Sequence, residues 1–524
     1  MQQTVPQSAQ TTRAAGDPLP LEGRGYRPES IATIRAERLL PDGLVSRLER
    51  LYPQHARLRP TSPPLFAGQE TYSGLEGFRE VCAILREHGV EIGFQEEREL
   101  FIDVYRFLAT RHTLNSIDWE EFTADSIFQM VFPQPGMIRR QVVEAYCRAD
   151  SREERERIAA DYMHETNPHD CHQLLNKPWF TSETGEVEVL HGSQHKYPQC
   201  QLIFDRQTQH CFSFCTYCFR HAQVRGDEDM FVQEDVDQVH DYLRAHEEVN
   251  DLLITGGDAG YLTAERFARY VAPLLEDPTL IHVKTVRLGS RALTYQPEIV
   301  LSPKYEGMLE LFERLYDHGI QVAWMAHFST PREVLNPLTI AAIRRLQARH
   351  AVLRSQSPMM KHISLFADET GAIDVARSAK NWIDLANILG MLNVGFHSIY
   401  CARPTGEHHY FTAPLADIHK VYDTIYRSLP SINRPSRHIS MTTSAGKISI
   451  LGTAEVHGET LFALKFSEGR DMRWLDKVFL AKYDEEANNV ALLEPYDTEA
   501  FFFEAELAAI EEELEARLVE LTAR

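Results

Sequence analysis

The stretch QLIFDRQTQHCFSFCTYCFRH, residues 201–221, decides how the chain is read, because an apolar run (Leu202, Ile203, Phe204) leads into three cysteines, Cys211, Cys215 and Cys218. The run reads as a strand and the cysteines as the loop at its carboxyl end. Their C-x3-C-x2-C spacing supplies one thiolate too few to saturate a cubane. A [4Fe–4S] cluster held by three cysteines keeps one iron open, and an open iron binds and reduces a small molecule instead of only relaying electrons. The competing reading is a zinc site completed by His210 or His221, since structural zinc takes four closed protein ligands.

Downstream of the loop, strand candidates alternate with amphipathic helices. The strands are DLLIT (251–255), VKTVRL (283–288), QVAWMA (321–326), AVLRSQ (351–356) and NVGFHSIY (393–400), with stretches such as YEGMLELFERLYDHG and PLTIAAIRRLQARH between them. Alternation at this spacing predicts parallel β/α units, and six of them make an α/β fold built on a partial (β/α)6 barrel. Ligands of such folds gather at the carboxyl ends of the strands, where the cysteine loop falls. Residues 26–190 read as a helical N-terminal region, 191–430 as the barrel, and 431–524 as a closing extension, β-rich at 437–452 and 477–495 and ending in an acidic helix. Residues 1–25 read as a disordered tail.

Composition narrows the function classes. No apolar run in the 524 residues approaches the roughly 20 needed to span a bilayer, so a soluble protein is expected. A net charge of −22 argues against nucleic acid as a partner, because phosphate binding needs basic surface. Half of that charge lies in residues 484–524, where 13 Asp and Glu face only Arg517 and Arg524. This reads as a solvated helix whose apolar stripe packs on the body or on a second copy in a homo-oligomer. Eight cysteines, three of them within eight positions, fit metal chemistry in a reducing, cytoplasmic compartment better than a disulfide framework. The first residues carry no signal-peptide pattern. The remaining cysteines, Cys82, Cys147, Cys171, Cys200 and Cys401, read as buried free thiols.

The loop C-x3-C-x-aromatic-C, with Tyr217 before the last cysteine, resembles the signature of the radical S-adenosylmethionine (SAM) superfamily. The resemblance implies a [4Fe–4S] cluster whose open iron is chelated by SAM, with Tyr217 beside the adenine. LLITGGDAGYLT resembles the superfamily's GGD-type segment, which implies that Gly256, Gly257 and Asp258 hold the methionine ammonium. On its own, a glycine pair after a strand is a tight turn. KYPQ, CFRH, LLITGGDAGYLT, VRLGSR, AHFSTPREV, SQS and AGK resemble, in order, segments of the lysine 2,3-aminomutase family across roughly residues 185–495.

That resemblance implies an isomerase in which a deoxyadenosyl radical takes hydrogen from an amino acid bound to pyridoxal phosphate (PLP), and the amino group migrates to the neighbouring carbon. Arg220 then corresponds to the arginine on the substrate carboxylate, Lys447 to the lysine that binds PLP as an imine, and Gln356 to a cofactor-side glutamine. Arg287, Ser290, Arg291 and His327 fall on strand ends near the site. A small amino-acid substrate and a reductive electron donor are the implied partners.

Three departures are visible. The two aspartates that hold the lysine side-chain ammonium read here as Ala402 and Ser440, so free lysine is disfavoured, and Arg403 favours an anionic group instead. The segment expected to hold the PLP-phosphate arginine is two residues longer, with Arg206 its nearby candidate. No cysteine follows Cys401, so the family's structural zinc is not expected. The alternatives are a PLP-independent radical SAM enzyme acting on another small molecule or a peptide, and a non-catalytic iron–sulfur or zinc protein.

Overall fold

The apolar run before the cysteines is the second strand of an eleven-stranded sheet whose spatial order follows the chain. Its strands are β1 (Ser193–Tyr197), β2 (Cys200–Phe204), β3 (Asp251–Thr255), β4 (Thr285–Ser290), β5 (Gln321–Ala326), β6 (Val352–Met359), β7 (Gly395–Cys401), β8 (Ile439–Thr442), β9 (Gly446–Val456), β10 (Glu459–Gly469) and β11 (Val478–Lys482). The computed structural model describes residues 21–58, 64–166, 175–182, 185–225, 231–403 and 406–522. Residues 1–20 of the expected tail, and Cys171, lie outside them; Leu21 is buried against the core.

β2 to β7 pair in parallel, as the alternating pattern predicts. The crossover helices are Asp237–Ala245, Ala264–Glu276, Glu306–Asp317, Pro337–Ala348 and Val375–Met391, and Leu415–Ser428 follows β7. Leu252, Ile254, Val286, Leu288 and Trp324 are all buried, which is why parallel strands covered on both faces read as apolar runs. Helix starts are set locally. Thr263 accepts from Arg266 N at 3.2 Å and Asp374 from Arg377 N at 2.9 Å. Asn336 caps Leu338 N at 3.0 Å beside Pro337 in the first helical turn.

After β7 the sheet changes sense. β8 joins β7 through one parallel pair, Tyr400 with Ser440, and β8 to β11 then run as an antiparallel meander. β10 lies between the two segments expected to be β-rich. Its alternation, ETLFALKFS, is a strand signal, and the two-residue turn His457–Gly458, with φ of 53° and 85°, has the handedness of a tight hairpin. β10 touches β1, so the meander swings round toward the open edge of the barrel.

The N-terminal region adds helices Pro28–Ala36, Asp42–Leu51, Gly74–Glu87, Gln95–Val104, Arg140–Arg148 and Arg152–Glu165, with short antiparallel pairs Thr71–Ser73/Leu108–Thr110 and Trp179–Thr181/Val187–Val189. It shares one continuous hydrophobic core with the barrel. Phe78, Phe107, Trp119, Phe128 and Phe132 form a ring cluster, with Phe128 stacked on Phe132 at 4.8 Å. One buried carboxylate ties two N-terminal segments to the chain beyond the barrel's last parallel strand. Glu407, 2 % exposed beyond the end of β7, accepts one hydrogen bond from Tyr105 and one from Tyr162, each 2.9 Å.

Burial raises the Glu407 carboxyl from its ordinary 4.5 to about 7, although both tyrosines and Arg139 pull the other way. A folded-state value above the unfolded one means that the native protein binds the extra proton between those two pH values, so stability falls as pH rises through that window. Glu407→Gln should flatten the fall in melting temperature between pH 4.5 and 7 relative to wild type. The difference corresponds to a contribution on the order of 3 kcal/mol, and identical pH profiles for the two proteins would refute it.

Candidate active site

The cysteine loop begins where β2 ends. Asp205, fully buried, stops the strand by accepting from Gln207 N (2.8 Å), Arg266 Nε (2.6 Å) and Tyr270 Oη (2.7 Å), and a 3-10 turn over Arg206–Gln209 redirects the chain. From residue 210 to 220 there is no regular structure, so the loop's amides need partners from elsewhere. The N-terminal region supplies them. Phe214 N donates to Leu108 O (2.7 Å), Thr216 N to Met130 O (2.8 Å), and Thr110 N to Ser213 Oγ (3.1 Å).

The end of β3 supports the other side. Gly257 N and Asp258 N both donate to Thr208 O, at 2.6 and 3.0 Å. Gly256 has φ of 141°, and a Cβ there would lie 2.6 Å from Thr208 Oγ1. A Cβ on Gly257 would lie 2.5 Å from His210 O and 2.9 Å from Cys211 Sγ. Only glycine lets the turn close on the cysteine loop. Asp258 holds the shape of this turn: its buried carboxylate accepts from Gly260 N (2.8 Å), Ser290 Oγ (2.6 Å) and Arg291 N (2.8 Å), and burial lifts it to about 6.

Burial and the neighbouring Cys218, Asp258 and Cys215 push the Cys211 thiol well above its usual 9; burial and Cys215 push Cys218 to about 12. Three half-buried sulfurs on one short loop form a ligand set that a cluster of iron ions would fit, its positive charge offsetting their mutual repulsion once deprotonated. Among the described residues no three His, Cys, Asp or Glu side chains are grouped to hold a single metal ion. A cubane takes one thiolate per iron, so its ligands do not converge on one ion. His221 is engaged elsewhere, with Nε2 3.0 Å from Thr166 O and its ring edge-on to Tyr105, and His210 is exposed.

Around Cys215 lies a set that motif spacing does not reveal. Tyr295 Oη is 3.1 Å from Cys215 Sγ, and Arg291 Nη1 is 3.4 Å from the same sulfur. Arg291 also donates to Tyr217 Oη and, at 2.6 Å, to buried Glu333. Glu333 is fixed by Ser329 N (2.7 Å) and Thr330 N (2.8 Å). Tyr217 thus reaches Arg291 and His327, and burial followed by Arg291 holds the His327 ring well below its ordinary pKa.

A second group of charges lies toward the barrel's open edge. Arg220 donates to Thr255 Oγ1 (2.9 Å), and its guanidinium lies over Phe204 and Phe219; Arg403 lies over the same Phe219 ring at 5.4 Å. Burial and Arg403 lower Arg220 to about 10. Lys447 pairs with Glu468 and faces the rings of Tyr400 (5.4 Å) and Tyr197 (6.0 Å). Gln356 accepts from Tyr400 Oη at 3.2 Å. Lys196 donates to Thr443 O, and Arg470 to Ser444 O (2.9 Å) and Asn176 Oδ1 (2.6 Å). Ala402 and Ser440 are buried. An amine, several cations and two phenol rings in one place form a donor set that fits an aromatic aldehyde bearing a phosphate.

Three sequence expectations require correction. Arg206 is exposed and pairs with Glu234 at 3.4 Å on the outer surface, because the 3-10 turn carries it away from the barrel's open edge. Cys147 is exposed rather than buried, at the end of an amphipathic helix with one buried residue. Arg287, expected on a strand end, pairs with Asp251 and donates to Cys200 Sγ at 2.9 Å; Asp251 and Cys200 are the first residues of β3 and β2. Gly257→Ala should therefore leave the barrel folded while collapsing the cysteine loop. Iron retained after anaerobic reconstitution is expected to fall at least about tenfold at an unchanged far-ultraviolet circular dichroism spectrum, and full iron retention would count against the packing described.

No family profile matches the chain. It is 30% identical over 278 residues to a protein of Aquifex aeolicus named "Putative L-lysine 2,3-aminomutase", a match covering 53% of this chain and 68% of that one. It is 29% identical over 174 residues to L-lysine 2,3-aminomutase of Clostridium subterminale, covering 33% and 38% of the two chains. It is also 29% identical over 139 residues to glutamate 2,3-aminomutase of Clostridioides difficile, covering 26% and 30%. The last two matches span well under half of those relatives. Taken with the parallel barrel and a three-cysteine loop closed against a glycine turn, the first match identifies the chain as a divergent member of the lysine 2,3-aminomutase family of the radical SAM superfamily.

Proposed function

We propose that this enzyme moves the amino group of an amino acid other than free lysine, one whose side chain ends in an anionic group. Cys211, Cys215 and Cys218 would hold a [4Fe–4S] cluster, and Tyr217 with the Gly256–Asp258 turn would flank SAM. PLP would lie among Lys447, Lys196, Gln356 and Tyr400. When bound, the cluster and SAM supply a carbon radical that abstracts hydrogen, and PLP supplies a carbonyl that takes up the amino group.

The observation that carries this reading is the run of cations beyond the third cysteine. Arg220 and Arg403 both lie over the Phe219 ring and the charge of Arg403 lowers Arg220; it is felt in turn by Lys196, which also feels Arg470 and Lys447. A guanidinium fork takes the common α-carboxylate, and a second takes a terminal acid. A substrate ammonium would meet Ala402 and Ser440, which bear no charge, and its burial there would be uncompensated. Substrate orientation against the radical source is the chain's main contribution, because a reacting bond misplaced by about 1 Å costs on the order of a hundredfold in rate.

Anaerobically reconstituted protein given SAM and a reductant is expected to release 5′-deoxyadenosine, and alanine at any one of the three cysteines to abolish it. Glutamate or a related acid should accelerate the release more than lysine does. Arg403→Ala should raise KM for the acidic substrate by about tenfold or more, with a smaller change in kcat. Equal turnover of lysine and glutamate would overturn the substrate assignment while leaving the radical chemistry in place.

A further inference from the structure

Two lysines meet at the turn between β8 and β9, and only one of them carries the motif. Lys447 is the second residue of β9, just after this turn. Lys196 arrives from β1, on the opposite side of the barrel's open edge, and its Nζ donates to Thr443 O of the same turn. Both ammonium groups face one ring, Tyr197, at 5.7 Å for Lys196 and 6.0 Å for Lys447. The charge of Lys447 is also felt at Lys196.

Their electrostatic surroundings differ. Lys447 is ion-paired with Glu468, so its Nζ is already engaged by a carboxylate. Lys196 has a neutral carbonyl as its acceptor, and among the described residues no carboxylate forms an ion pair with it. Burial, reinforced by Arg470, Arg403 and Lys447, holds the Lys196 amine well below its ordinary 10.5, with Glu511 the acid that opposes them. Arg470 is anchored beside it through Ser444 O and Asn176. A neutral amine flanked by guanidinium groups suits an aldehyde that carries a dianion.

We infer that Lys196, rather than Lys447, is the amine of this chain that condenses with the aldehyde of pyridoxal phosphate, an inference that rests on the reading of the site as a PLP site. The Nζ lone pair forms a bond to the aldehyde carbon, C=N replaces C=O, and the oxygen leaves as water with the two amine protons. No oxidant or reductant is consumed. Lys447, held by Glu468, then contributes positive charge and position.

The test uses the full-length protein with stoichiometric pyridoxal phosphate, borohydride reduction and peptide mapping of the reduced adduct. The adduct is expected on Lys196. Lys196→Arg, which keeps the charge and a donor to Thr443, should lower labelling at least about tenfold, whereas Lys447→Arg keeps it. Labelling confined to Lys447 and unaffected by Lys196→Arg overturns the inference and leaves PLP binding standing; labelling of neither lysine overturns both. If the melting temperature shows that Lys196→Arg folds poorly, the wild-type pH profile decides. The labelling rate at Lys196 should level off well below the ordinary lysine value of about 10.4, and a rate still climbing through that pH overturns the inference.

Discussion

A loop without secondary structure holds the three cysteines, and its backbone must still be satisfied where it is buried. The chain meets that requirement from outside the barrel. Leu108 O and Met130 O, in the N-terminal region, accept from Phe214 and Thr216, while Thr208 O accepts from Gly257 and Asp258 at the end of β3. Those bonds hold the loop on either side of Cys215 against the N-terminal region, and Gly256 and Gly257, with no side chains, let the end of β3 touch it. The helical layer is thus part of the site. Its contact with the loop beyond β7 runs through Glu407 and two tyrosines, a buried carboxylate whose loss would leave both hydroxyls without their acceptor.

The electrostatics run against the composition. A chain of net charge −22 gathers Arg220, Arg403, Lys196, Lys447 and Arg470 near one opening, with Glu468 paired to one of them. Like charges brought together repel one another, and such a group favours negative charge in its neighbourhood. The acidic helix Glu504–Thr522 does more than solvate the end of the chain. Trp474 Nε1 donates to Glu506 at 2.6 Å, Leu507 and Ile510 pack on the core, and the charge of Glu511 reaches Lys196 and Arg470.

Most of the barrel is legible in the sequence because parallel strands buried on both faces must be apolar throughout, and the helices between them carry a one-sided stripe. The six strands fall within a few residues of their expected positions. The cysteine loop and glycine turn are legible because close approach and metal ligation tolerate few residue types. What the sequence conceals is partnership between distant residues. Nothing local marks Tyr295 or Glu333 as neighbours of Cys215 and Arg291, or Tyr105 and Tyr162 as donors to a glutamate more than two hundred positions away. Arg206 is near the KYPQ segment in sequence, but it lies in the 3-10 turn that follows Asp205 and pairs with Glu234. Lys196 stands in KYPQ, but its closeness to Lys447 depends on how the late hairpin swings back to β1.

That return path gives the barrel a weak line. Between β2 and β7 each strand is held to the next by a ladder of backbone bonds, but β1 and the turn preceding β9 meet through the side chain of Lys196, with Arg470 reaching from Ser444 O to Asn176 nearby. Local opening costs least where few cooperative bonds must break together. Along this seam fewer bonds hold the chain together than between the laddered strands, and the charged groups of Lys196 and Arg470 lie beside it.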